Sequence, residues 1–430
     1  MRNFFRKNKE RVAGSSSRTR QSISNSYTRF TDWTHHVLTK RRAIFLYGLA
    51  IGVFLFGVVP LVIVASVSHI RNTTHEEGSH KCEVIMAALF PPEPEPKPEP
   101  FYEPIEIYEP YEPEEPEEPP FLGPFALLTG IPIYEEYEHR RPMAVVINNI
   151  FAALPQYGIS YADVVYEVLA EGNITRLVAI FHSQMPDMVG PVRSTRNYFA
   201  GMAMNHDAFF MHYGGSIEGY ARIRELRLDA MDGGPAFWRD RTFPAWSGLT
   251  GQRAWEHSAF TGWQRVTAQV EARGFRDTIG EDAAFGFQFG IIPEEIERIG
   301  YATHIAVPFS VEYTRRFDFD EEYGSYMVSH GRGPHLDALT DGGSVVVHNI
   351  LVQTVNMRIL HAHNGARNVD TVGSGTGYLF TQGERFAVTW EKPSHAAPMR
   401  WYFACGTPLV LSPGRTWINV LQATATVHWE

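Results

Sequence analysis

Cysteine is nearly absent: Cys82 and Cys405 are the only two in 430 residues. Two such distant residues make no disulfide framework, and no pair has the spacing of a zinc ligand set. Charge is missing altogether from residues 43–67, AIFLYGLAIGVFLFGVVPLVIVASV, a run of 25 residues. Net positive charge is missing from everything beyond the first 42 residues. That opening block carries 11 Lys or Arg against Glu10 and Asp32, so a total of -10 leaves -19 on the rest. Nucleic acid is thereby excluded as a partner of the main body, since phosphate binding needs concentrated positive charge.

The uncharged run has the length of a membrane span. At about 1.5 Å per residue it reaches roughly 37 Å, against a hydrocarbon core of about 30 Å. The basic block before it predicts a cytoplasmic N-terminus and an extracytoplasmic remainder. Residues 1–42 read as a disordered basic arm, residues 43–68 as one transmembrane helix, and residues 69–121 as an extracytoplasmic linker. Within that linker, residues 91–120 hold 12 Pro and 11 Glu against Lys97 alone. Proline at this density favours extended polyproline II, and like charges extend the chain further. The stretch reads as a stalk.

Folded sequence is expected from residue 122 onward. Apolar runs at 143–147, 164–169, 177–181 and 208–212 predict strands. Helices are expected over 194–205 with Ser194 as N-cap, and over 217–228, 251–258 and 263–273. This alternation predicts an α/β domain over 122–290. After it, short runs such as 344–354, 378–381, 386–390, 400–403 and 417–421 are separated by Gly-rich turns, which predicts a smaller β-rich domain over 291–430.

The candidate site residues follow from where these runs end. Arg176, Arg193 and Arg196 are suited to bidentate recognition of phosphate or carboxylate, and equally to pairing with Asp163, Glu167 or Glu171. His212 to Ser216, reading HYGGS, joins a strand to a helix, and its glycines admit a ligand to the backbone. It has neither the phosphate-loop Lys-Ser/Thr nor a Gly-x-Ser-x-Gly elbow around Ser216. Asn148 ends the first strand; Glu167 and Asp163 share a strand face. The histidines 330, 335, 361 and 363 do not complete a ligand set, so no metal and no cofactor are expected. Trp390, Trp401 and Trp417 suit either a sugar platform or a core.

Several stretches also keep an order and spacing that resemble the YerB-like family of two-domain bacterial lipoproteins. They are RPMAVVINN, YADVVYEVLAEGNITR, GPVRSTRNYFAGMA and HYGGS, then VVVHNILVQ, VGSGTGYLFTQGERFAVTW and LSPGRTWINV, over residues 122–425. The resemblance implies an extracytoplasmic envelope protein and brings no settled activity. Unlike the family's usual members, this chain has no lipobox cysteine after its apolar run, so helix and stalk are expected to serve as the anchor. The function expected is that of a noncatalytic module. It would bind cell-wall glycan or a peptidoglycan-synthesis protein through a cleft formed by Arg176, Arg193, Arg196, His212, Asn148, Glu167, Glu171 and Ser216. A transferase or hydrolase acting on a phosphorylated lipid-linked glycan is the competing reading. No residue is assigned a catalytic role.

Overall fold

Met143–Asn148 (β1), Val164–Leu169 (β2) and Thr175–Phe181 (β3) are buried at every position, as strands covered on both faces must be. They belong to a computed structural model that describes residues 123–242, 253–281, 283–340 and 343–430. The expected arm, membrane helix and linker over 1–121 lie outside the described residues. Among the described residues no helix is long and apolar enough to cross a membrane.

Asn197–Met204 (α1), Phe209–His212 (β4), Ile217–Leu226 (α2), Ala230–Asp232 (β5) and Trp263–Arg273 (α3) complete the main elements of the first part. The second part contributes His304–Pro308 (β6), Thr314–Asp320 (β7), Ser325–His330 (β8), Asn349–Val355 (β9), Gly373–Thr381 (β10) and Glu384–Lys392 (β11). Arg400–Phe403 (β12), Thr416–Gln422 (β13) and His428–Trp429 (β14) follow.

The two parts share one sheet, in the order β12-β11-β10-β9-β13-β2-β3-β1-β4-β5. Its middle strand arrives last. β13 runs parallel to both neighbours, with Thr416 opposite Val164 on one side and Asn349 on the other. A second sheet, built around β8, β7, β6 and β14, packs with α3 on one face. There Phe317, Tyr326 and Val328 meet Ile147, Val165 and Trp417. On the other face, Tyr198 to Ala203 of α1 pack on Val146, Val178 and Ile180, beside Trp390, Trp401 and Phe403. The α/β expectation for the first part is therefore right in element type, but the whole is strand-rich with few helices.

Three local expectations need correction. The first helix starts at Asn197, with Arg196 at the N-cap, and Ser194 Oγ instead donates to the Tyr213 carbonyl at 3.0 Å. The stretch 251–258 shows only a 3-10 turn, Trp255–His257, within its described part. β7 was not anticipated, because its sequence TRRFDFD puts an arginine, Arg315, at an inward position before Phe317 and beside charged outward neighbours. Cys405 is exposed and in no disulfide. The three tryptophans are core residues: Trp390, Trp401 and Trp417 are all buried.

Candidate functional site: an arginine cluster and a buried ring

Strand alternation divides the expected site between the two faces of the central sheet. On β3, Arg176 lies on the side of Val178 and Ile180, whereas on β2 Glu167 lies on the side of Val165 and Leu169. The expected single cleft is thus two separate arrangements.

The first gathers Arg176, Arg193, Arg196 and Glu171. Glu171 sits in the short turn Glu171–Asn173 between β2 and β3. Arg196 grips it through two bonds, Nε to Oε1 and Nη2 to Oε2 at 2.7 Å. Arg176 approaches the same carboxylate at 3.4 Å and donates to the Ser194 carbonyl at 3.0 Å. Its Nε is buried without a partner among the described residues. Burial, then the charges of Arg196 and Arg193, lower the Arg176 pKa to about 10, with Glu171 acting the other way. Glu171 is itself held below the usual carboxylate range: burial works against its charged form, but the Arg196 bond and both guanidinium charges prevail. Arg193 stands beside this group, half-buried, and its guanidinium makes no ion pair or hydrogen bond among the described residues. Desolvation lowers it first of all, with Glu256 opposing and Arg196 adding to the effect. Two guanidinium groups thus share one carboxylate, with a third arginine beside them.

His212 and Ser216 lie next to this cluster but are engaged locally. The segment 193–196 runs beside 213–216: Tyr213 donates its N–H to the Arg193 carbonyl, and Thr195 donates to Gly214. Ser216 caps α2 by accepting from the Gly219 N–H at 3.0 Å. The buried His212 ring meets the Gly214 carbonyl at 2.9 Å, so its Nδ1 carries the proton. Burial lowers its pKa, against the Gly214 bond and Asp232.

The second arrangement is a closed ring inside the molecule. Arg315 Nε donates to Glu167 Oε2 at 2.7 Å, and Arg315 Nη1 donates to His335 Nδ1 at 2.7 Å. His335 Nε2 donates to Gln156 Oε1 at 2.6 Å, and Gln156 Nε2 donates to Asn149 Oδ1 at 3.1 Å. Asn149 Nδ2 returns to Glu167 Oε1 at 3.0 Å. Thr175 Oγ1 and Trp417 Nε1 also donate to this carboxylate. Every member is buried, so Glu167 serves to tie the two parts together and is not open to a ligand. Asn148 stands directly opposite Arg176 across β1 and β3, and its amide meets His257 Nδ1 at 2.9 Å. Asp163, on the third front, accepts from the backbone of His182 and Ser183; burial pushes its pKa up to about 6 against these bonds. The three carboxylates considered together in the sequence therefore do three separate jobs.

The fold defines a strand-rich protein of two parts that build one sheet together. The chain belongs to the family described as "Protein of unknown function (DUF3048)", whose N-terminal domain matches residues 128–276 and whose C-terminal domain matches residues 305–418. It is 30% identical over 314 residues to the protein named "Putative lipoprotein YerB" of Bacillus subtilis (strain 168), covering 69% of this chain and 86% of that protein. The crystal structure of the YerB protein from Bacillus subtilis superposes with a TM-score of 0.60 at 28% identity, covering 71% of this chain and 99% of that one.

Proposed function

We propose that this is a noncatalytic cell-envelope protein whose arginine cluster binds an anionic group on cell-wall glycan or on a wall-synthesis partner. The observation that carries this reading is Arg193, a half-buried guanidinium with no hydrogen bond or close ion pair among the described residues and with the exposed Glu256 as its nearest opposing influence, beside two arginines that share Glu171. Guanidinium N–H groups already stripped of part of their water bind phosphate or carboxylate strongly. Location follows from the uncharged segment 43–67, which would span the membrane once, and from the Pro/Glu stalk beyond it; similarity to a lipoprotein supports an envelope setting. The competing transferase or hydrolase reading needs a free base beside the arginines. Glu171 is held by two of them, and His212 is turned onto a backbone carbonyl.

The binding reading is tested with full-length protein in detergent micelles, titrated calorimetrically with inorganic phosphate. The Arg193→Ala/Arg196→Ala variant should bind at least about tenfold more weakly, a loss of roughly 1.4 kcal/mol. Equal affinity in the two proteins overturns it. Location has its own test: protease added to intact cells should digest the region beyond residue 121. Protection in intact cells with loss after permeabilisation would place that region inside and reverse the topology.

A further inference from the structure

Beside the arginine cluster lies a groove that the anion reading leaves unused. It has a volume of about 540 Å3 and runs between the end of β9, the stretch Asn368–Val372 and the start of β10. That volume falls within the roughly 300–1,000 Å3 of ordinary ligand sites. Its wall is neutral and polar: Thr354, Asn356, Asn368, Thr371, Ser374 and Thr376 face it. The single charged side chain there, Asp370, is already taken by Arg358 at 3.2 Å and by Asn368 Nδ2 at 2.6 Å. Thr371 is 3% exposed, and its Oγ1 is buried with no hydrogen-bond partner. His395 also lines the wall, with its unpartnered Nδ1 packed towards Gly201 of α1. The Thr371 hydroxyl suits a ligand that brings its own donors and acceptors.

The floor is shaped by glycine. A Cβ at Gly375 would stand 2.7 Å from the indole Nε1 of Trp390, so any side chain there would collide with the buried ring. That ring is turned to the Thr354 carbonyl at 3.2 Å and is only 3% exposed, so the groove grips by hydrogen bonds instead of stacking. Asn368 joins the groove to the cluster. Its Oδ1 accepts from Asn197 Nδ2 at 3.0 Å, and Asn197 directly follows Arg196. Its other neighbour, Arg367, reaches Asn173 in the turn that carries Glu171.

We infer that the two form one site for an anionic glycan, with the phosphate or carboxylate on the arginines and neutral sugar hydroxyls along the Thr354–Thr376 groove. This rests on the arginine cluster being an anion site and adds the class of molecule that carries the anion. An apolar ligand would leave the Thr371 hydroxyl unpaired.

The test uses full-length protein in detergent micelles and three probes: inorganic phosphate, neutral chitobiose and chitobiose 1-phosphate. Chitobiose 1-phosphate should bind at least about tenfold more tightly than phosphate. Ser374 is exposed, so Ser374→Tyr fills the groove without entering the core. That variant should lose the gain while keeping phosphate affinity, whereas Arg193→Ala/Arg196→Ala should weaken both. If the sugar phosphate binds no better than phosphate, or if Ser374→Tyr leaves it unchanged, the glycan inference falls and the anion site stands. If phosphate fails to bind, the anion reading falls and the joined site with it, whatever neutral chitobiose does.

Discussion

Arg315→Ala is expected to lower the unfolding free energy by about 3–5 kcal/mol, read as a shift in the urea midpoint at pH 7.5. The change removes the two Arg315 donors to Glu167 and the donor to His335. Glu167 is then a buried carboxylate with only Asn149, Thr175 and Trp417 to satisfy it. The loss comes from the orphaned charge more than from the missing attraction. Hence the paired change Glu167→Leu/Arg315→Met should be much less harmful than Arg315→Ala alone. A single variant with a loss below about 1 kcal/mol would mean that water reaches Glu167, and the ring would not be the tie between the parts.

The second large effect is acid sensitivity. Burial lowers His182 and His330 to about 4 and His206 to about 3, and holds His335 well below its ordinary value. Unfolded, each titrates near 6.5. Between that value and the folded one, the unfolded chain binds more protons, so stability is complete above about pH 6.5 and is lost as pH falls. At pH 5.5 each histidine contributes a loss of roughly 1.4 kcal/mol, on the order of 5 kcal/mol for the set. Asp163 acts the other way, because its folded pKa of about 6 lies above its unfolded one, and it returns about 1 kcal/mol over the same interval. Lys392, lowered by burial to about 7, takes up its proton in the folded state only within this interval, whereas the unfolded chain holds it throughout, so it adds a loss of about 1 kcal/mol. Urea midpoints at pH 7.5 and pH 5.5 measure the sum. A flat profile would mean the histidine rings are hydrated.

The strands legible in the sequence are those carried by an apolar run. β2 and β12 were read to the residue, and α3 likewise, because its valines at 266 and 270 share one face. β7 was hidden because its inward row begins with a charge, and the partner that makes this tolerable, Glu167, lies 148 residues away. For the same reason Glu167 was grouped with the arginines: its residue type suits them, but pleat alternation turns it to the opposite face. Glu171 escaped that fate because it sits in a turn, free of the pleat. The position of β13 was illegible for a different cause. A run such as TWINVLQ declares a buried strand but not which two neighbours it will separate.

The order of synthesis now acquires meaning. Until residues 416–422 emerge, β2 and β9 each present an open row of backbone groups, and the sheet is two halves with nothing between them. Closure must await a late segment and long-range pairing, which is slow. On the proposed topology that delay is useful, since the chain stays translocatable until its whole length is out. A version ending before residue 416 would be left with two sticky edges and should collect in aggregates.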